Sequence, residues 1–559
     1  MDNIRLFLWM ALLATLWLSY SAWMQDYAPP PVPVSSDAAL SNGTTEPDHI
    51  LPELGQSDPA PDVAPVPGAT AAPAAPAQTI RVQTDVLDLR IDLQGGDIVR
   101  ADLLDYPVDK SDPDTLVRLL DYNPDQRWVF QTGLRDAAGG SEPNHLARFS
   151  SSSDSYVLSG GEQQLVVSLN WTGDNGVTAT KTYTFRRGSY EIDLTLRLQN
   201  GSPSVWRGAA YTQMVRLHKP VERSFTSVDS YSFTGPVLYD GDRYEKLDTE
   251  DLVTEPVTQT LANGWFAGIQ HHFLAAIVPP PMEQTRYQAI ARPTERGTDY
   301  VLTAVAPVRD VAAGAALDYA LRLFVGPKLQ DQLRATSDEL DLTVDYGILT
   351  VLAQPLFWIL SLVHGWVANW GWAIIIVTIF IKLVFFKLTA TSGRSMAKMR
   401  KLAPRMKALQ ERHKDDRQAL SAAMMDLYKR EKVNPVAGCL PIVVQMPFFF
   451  AFYWVLIESV EMRQAPFMLW INDLSVRDPF FILPLLMGAA MFFQTRLNPA
   501  PPDPVQARVM QIMPIVFTGF FAFFPAGLVL YWLTNTVLSM LQQWRINTVV
   551  AQEGNAKAN

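Results

Sequence analysis

Residues 357–386, 436–457, 480–494, 509–524 and 526–544 form apolar runs that commit the last third of the chain to lipid. Backbone buried in a bilayer must satisfy its own polar groups, so each run is predicted to be a membrane-spanning helix. Three of the runs sit near or below the roughly 17 residues that usually cross a bilayer. Spans that short imply a thinned bilayer or tilted, partly wet packing. Prolines recur within the runs or at their ends (Pro441, Pro447, Pro484, Pro514, Pro525), and are tolerated where neighbouring helices take up the freed carbonyls. A single charged side chain, Lys382, falls inside the five runs. A cation at membrane depth costs about 2.5–3.5 kcal/mol and commonly marks a polar cavity or a substrate path. The competing reading is that Lys382 snorkels past Phe386 to the headgroups beside Lys387.

The remainder of the chain is of a different kind. Mean hydropathy over all 559 residues is only +0.04, because a long soluble region balances the apolar one. Residues 1–24 are apolar after Arg5 and end in Trp17, Tyr20 and Trp23. An uncleaved N-terminal transmembrane anchor with an aromatic belt is favoured there over a signal peptide. Residues 25–79 hold twelve prolines and no Lys or Arg, a composition that cannot bury a core and reads as an extended linker. Residues 80–335 alternate apolar and polar side chains, as in Lys181-Thr-Tyr-Thr-Phe185 and Tyr190-Glu-Ile-Asp-Leu-Thr-Leu-Arg-Leu198. Period-two patterning predicts antiparallel strands and a large all-β sandwich.

Little in the soluble region suggests chemistry. His271 and His272 would point to opposite faces if they lay on a strand, which disfavours a shared metal or catalytic role. There is no nucleophile constellation and no phosphate loop, and no cofactor or metal is expected. The net charge of −10 belongs to the soluble part, and the dense basic stretch adjoins the spans, so no nucleic-acid specificity is expected. Cys439, the one cysteine, reads as a small buried residue.

The loop 387–432 carries thirteen Lys or Arg against five acids, which orients it toward the cytoplasm. Counting spans outward then puts both termini in the cytoplasm and residues 25–355 outside. Within the loop, Met399, Leu402, Met406 and Leu409 recur at spacings of three, four and three, and Leu420, Met424 and Leu427 at four and three. This predicts a helical hairpin over 390–433 with a narrow apolar seam, kinked at Pro404. The seam is either self-contained packing or a capture surface for apolar peptides, which methionine's flexibility suits. Met396, Met399, Met406 and Met424 would carry that surface. Residues 336–356 are read as an interfacial helix, 357–547 as the span core, and 548–559 as a short cytoplasmic tail.

Specific motifs are spread along the chain: Leu323-Phe-Val-Gly-Pro-Lys328, Asn369-Trp-Gly371, Glu431-Lys-Val-Asn-Pro435, Gln445-Met-Pro447, Arg463-Gln-Ala-Pro-Phe467 and Phe524-Pro-Ala-Gly-Leu-Val-Leu-Tyr-Trp532. They closely resemble the YidC/Oxa family of membrane protein insertases, in its Gram-negative form with a large periplasmic domain. The resemblance implies an α-helical multi-span membrane protein, an N-terminal anchor plus a five-helix core around a hydrophilic groove. Over 80–335 it implies a periplasmic β-supersandwich similar to sugar-mutarotase folds. It also implies a non-enzymatic insertase and chaperone of the bacterial inner membrane, acting alone or with the Sec translocon and its accessory subunits. Its partners would be nascent membrane proteins, the translating ribosome and membrane lipids.

In such a groove Lys382 stands where the family carries an arginine, with Thr378, Gln445 and Asn535 as further polar contacts. Met446, Phe449, Phe517, Tyr531 and Trp532 would touch the substrate helix. Glu458 occupies a position where a small residue is common. The β region should be largely separable from insertion. The rival class is a secondary transporter or channel for a small anion held by Lys382. Transporters usually show internal repeats, and none is visible here.

Overall fold

The computed structural model describes residues 51–54, 78–139, 142–219, 232–413, 416–431, 433, 440–497 and 504–556. The expected anchor at 1–24, nearly all of the linker at 25–79, Cys439 and the last residues of the tail lie outside the described residues.

Alternation in sequence becomes alternation in burial. The strand Val177–Arg186 buries every second residue along its length. It pairs antiparallel with Glu191–Asn200, which sets Leu194 opposite Tyr183. On the other side Leu194 meets Leu321 of the strand Ala316–Pro327. Facing cross-strand pairs of this kind are the unit of sheet stabilisation. Among the described residues the strands form sheets of five, nine and six members, and their inner faces supply one contiguous apolar core. Lys181 is buried in that core. Its ammonium donates to the Gly95 carbonyl at 2.5 Å, to Asp97 at 2.9 Å and to the Thr132 carbonyl at 3.0 Å. All three of its N–H donors are therefore satisfied, and the lysine ties the nine-stranded sheet to the five-stranded one and to the strand Trp128–Asp136. The expected β-supersandwich is present. His271 and His272, however, lie in a turn rather than on a strand. His271 has φ 48°, and the two rings stack 3.6 Å apart instead of facing opposite ways.

Short helices α1 (Asp251–Thr254) and α2 (Gln330–Thr336) accompany the sandwich. The helical half follows as α3 (Thr350–Val367), α4 (Trp370–Val384), α5 (Phe386–Arg412), α6 (Arg417–Arg430), α7 (Leu440–Glu458), α8 (Ile482–Leu497), α9 (Pro504–Phe521) and α10 (Ala526–Ala556). With its preceding turn, Gly347–Val367 is the one described helix long and apolar enough to cross a membrane by itself. Helix α4 and the start of α5 pass the same test as a pair bent by 66°. The helices Val444–Glu458, Ile482–Leu497 and Arg508–Phe521 are apolar but shorter.

The boundary between interfacial helix and first core span differs from the expected one. The run 357–386 is not one helix. Ala368 adopts a left-handed conformation (φ 51°), and the Asn369 side chain caps α4 by accepting from the Trp372 amide at 3.1 Å. An asparagine at this position satisfies an orphan N–H and so favours a fresh start. Apolar composition continues through the break, which is why hydropathy alone does not register it. The helix that starts at Thr350 thus extends to Val367, past the expected boundary at 356, and the next begins at Trp370. Gly371 lets Phe467 close over this start, since a Cβ there would lie 2.0 Å from the Phe467 ring. At the far end, α10 runs on to Ala556, so most of the expected tail is helical.

The sandwich is fastened to the end of α7. Glu458 is buried, accepts from the Ser232 hydroxyl at 2.8 Å and lies 3.8 Å from the buried Lys328 ammonium. His271 Nε2 is 2.9 Å from the Ile457 carbonyl. The Gln330 amide donates to the Tyr346 hydroxyl at 2.9 Å, and that hydroxyl lies 3.1 Å from Ser459 Oγ. Lys110 donates to the carbonyls of Gln464 (2.8 Å) and Asn472 (2.7 Å), and Arg463 to that of Pro107 (2.8 Å). A region read as separable thus makes a polar joint with the core at many points. Burial pushes the Lys328 ammonium below its ordinary value, and Glu458 works against that shift.

Candidate substrate groove

Helices α4, α7 and α10 converge on a cleft of about 420 Å³ of empty space. Its lining includes Thr378, Ile381, Lys382 and Phe385 from α4 and its end, Val444, Gln445 and Phe448 from α7, and Tyr531 and Asn535 from α10. Leu388 and Thr389 of α5 complete it. The four residues expected to form a polar groove therefore face one space, although they lie up to 157 positions apart (535 − 378). Spacing explains their placement. Thr378 and Lys382 are four apart and share a helix face, as do Tyr531 and Asn535.

The cleft is polar but unequally equipped. The Thr378 hydroxyl already donates to the Ile374 carbonyl at 2.6 Å, so toward the cleft its oxygen can only accept. The Thr389 hydroxyl likewise donates to Phe385 at 2.8 Å. Lys382 is half-buried and supplies the one positive charge of the lining, which holds no carboxylate. An anionic group entering this space would therefore meet a cation without an internal competitor. Phe385 and Phe448, which the sequence reading did not single out, meet edge to face at 5.3 Å beside the lysine. Their signal in the sequence was only a place one turn from a polar residue.

The residues expected to touch a substrate helix are divided. Tyr531 lines the cleft itself and stacks on Phe452 with ring centres 4.3 Å apart. Phe449 is buried against Trp532 (4.9 Å) and Phe521 (6.1 Å). Phe517 stacks on Phe521 at 6.0 Å. Met446 is half-buried and does not line the cleft. The outward surface near this set is instead Phe450, Ile512, Ile515, Val516 and Phe520. A substrate helix at this seam would reach Phe449 and Tyr531 only by displacing their neighbours.

The hairpin forms as helices α5 and α6, with Pro404 accommodated inside α5. Asp416 caps α6 by accepting from the amides of Gln418 and Ala419. Met406 and Leu402 are buried with Val433, and Met399, Met424, Leu427 and Tyr428 pack around them. The Tyr428 hydroxyl reaches Met406 Sδ at 3.5 Å. In this conformation the seam is filled by its own residues. The side chain of Met396 lies outside the described residues.

A β-supersandwich fastened to a helical core with a cationic cleft is the architecture of a membrane protein of the insertase class. The model of the YidC periplasmic domain matches residues 79–359, and that of the 60Kd inner membrane protein matches 362–553. The membrane protein insertase YidC of Nitrosococcus oceani is 46% identical over 557 residues, covering 99% of this chain and 100% of its own. That of Alkalilimnicola ehrlichii is 51% identical over 469 residues, covering 84% of this chain and 82% of its own. A crystal structure of an active YidC insertase aligns over 84% of this chain and 92% of its own, at 18% identity and a TM-score of 0.38. The chain belongs to the YidC family of membrane protein insertases, proteins of the inner membrane that carry a periplasmic domain.

Proposed function

We propose that the chain inserts and helps fold integral proteins of the inner membrane by receiving their polar external segments in the cleft around Lys382. The observation that carries this reading is the convergence of Lys382, Thr378, Gln445 and Asn535 on one space without a counter-charge. A short acidic segment entering there gains Coulomb attraction, about 4 kcal/mol for a 4 Å pair at a protein-surface dielectric. That attraction offsets part of the cost of carrying the segment into lipid. The substrate's apolar helix then leaves along α7 and α9, and its burial in lipid drives the reaction without a nucleotide. Both termini and the hairpin face the cytoplasm, where the hairpin meets nascent chains leaving the ribosome. The Sec translocon is a second partner for larger substrates, and lipids complete the groove's open side. An anion transporter or channel built on Lys382 finds no support among the relatives.

The test is insertion by the purified protein in liposomes, without ATP, of a small substrate with an acidic external tail. Lys382→Glu should reduce insertion about tenfold or more, and Lys382→Arg should preserve it. Normal insertion by Lys382→Glu would return Lys382 to the headgroups and overturn the reading.

A further inference from the structure

A second cleft, with about 1220 Å³ of empty space open to solvent, lies between α2, one face of α3 and Glu461. Its floor is aromatic. His364 lies flat on Trp370 with ring centres 4.0 Å apart, and Trp370 stacks on Phe357 at 6.3 Å. Glu461 Oε2 is buried there without a hydrogen-bond partner. A buried, unpaired carboxylate oxygen costs free energy unless a donor reaches it. The charge balance favours a cation. Arg334 at the rim is held by Asp341 at 2.8 Å and also lies 3.6 Å from the fully exposed Asp331, so acids outnumber it around the cleft. Burial pushes the Glu461 carboxyl up to about 7, even though backbone amides at Glu461 and Gln330 pull the other way.

The other side of α3 says where the cation comes from. Ile348, Val351, Trp358, Leu362 and Trp366 are exposed along it, a stripe that seeks acyl chains when the helix lies at a membrane surface. Trp358 belongs both to this stripe and to the cleft wall. The cleft is therefore continuous with this exposed apolar stripe. We infer that it holds the headgroup of an ethanolamine phospholipid, its primary ammonium on Glu461 above the Trp370 floor and its phosphate toward Arg334. A primary ammonium brings N–H donors to the unpaired oxygen and a charge to the ring faces. A choline headgroup has no N–H to give, and a glycerol headgroup has no cation.

Native mass spectrometry of the full-length protein, released from membranes of mixed phosphatidylethanolamine, phosphatidylcholine and phosphatidylglycerol, tests this. The wild type should retain the ethanolamine lipid about tenfold over the others, and Glu461→Gln should abolish that preference. A second arm needs no variant: an ethanolamine lipid with its amine acetylated should be retained no better than the choline lipid. Equal retention of all headgroups by the wild type would overturn the proposal. So would retention of the capped lipid, or a preference that survives in a folded Glu461→Gln protein. Preferential retention of the glycerol lipid would show an anion site at Arg334 instead, and would equally overturn it.

Discussion

Replacing Lys328 by methionine should loosen the joint between sandwich and helical core. The Lys328 and Glu458 charges lie 3.8 Å apart, which corresponds to roughly 4 kcal/mol of attraction at an effective dielectric constant of about 20. Much of this is spent on desolvating the two groups, both of which are buried. The larger effect comes from stranding one of them. Glu458 would keep the Ser232 hydroxyl but lose its cation, and breaking a buried pair this way costs about 3–5 kcal/mol. Glu458→Gln should cost less, because the amide still accepts from Ser232 and Lys328 can shed its proton, which burial already favours. Lys328→Met combined with Glu458→Leu should recover most of the loss, since no charge is then left buried. Hydrogen exchange of peptides covering 324–330 and 455–466, in nanodiscs, reads this locally. At about 1.4 kcal/mol per tenfold, Lys328→Met should speed exchange there by roughly a hundredfold to a few thousandfold. An acceleration below about fivefold, or a double variant as fast as the sum of its singles, would refute the argument from burial and geometry.

Gly371→Ala should lower the apparent melting temperature in detergent, because its methyl must displace the Phe467 ring at 2.0 Å, an overpacking cost of about 1–3 kcal/mol. The Glu461 carboxyl, raised from 4.5 to about 7 by burial, favours the folded joint when protonated. That contribution is complete below about 4.5 and is lost as pH rises toward 7. Melting curves across this window should therefore fall with pH in wild type and flatten in Glu461→Gln, with Asp331, Arg334 and His364 as the other titratable or charged groups lining the cleft. The hairpin should exchange amide hydrogens faster than Val444–Glu458, given its narrow seam around Met406. Replacing 396–432 by a Gly/Ser linker should abolish crosslinking to nascent chains while leaving the spans folded, and crosslinking that persists would reduce the methionine seam to packing.

The parts of this protein that were legible in its sequence are those written in periods. Two-residue alternation announced the strands Val177–Arg186 and Glu191–Asn200, and three-four spacing announced the hairpin. Lys382 was legible because a lone charge in an apolar run has few explanations. Thr378 and Asn535 could be attached to it through the family resemblance, and the structure brings them to the same cleft. What escaped was written in single residues. Asn369 ends one helix and begins another through one side-chain hydrogen bond, while hydropathy runs on across it. Lys181 reads as an ordinary polar position on an alternating strand, yet it is buried and fully bonded to three partners from distant segments. The turn at His271 and His272 escaped too, because nothing in their neighbours signals the left-handed residue. Lys328 and Glu458 are 130 positions apart (458 − 328), and no local pattern pairs them.

A polar recess among membrane helices becomes a leak unless something closes its inner end. In this chain packed side chains lie on the sandwich side of Lys382. Phe449, Phe452, Phe521, Tyr531 and Trp532 interlock there, with Ile374 and Val377 fully buried alongside. Rings packed in this way, some edge to face and some stacked, leave little room for a file of water between them. The same stack that obstructs a substrate helix at this seam would thus also close the cleft to ions. Opening it for one passenger at a time is what separates an insertase from a leak.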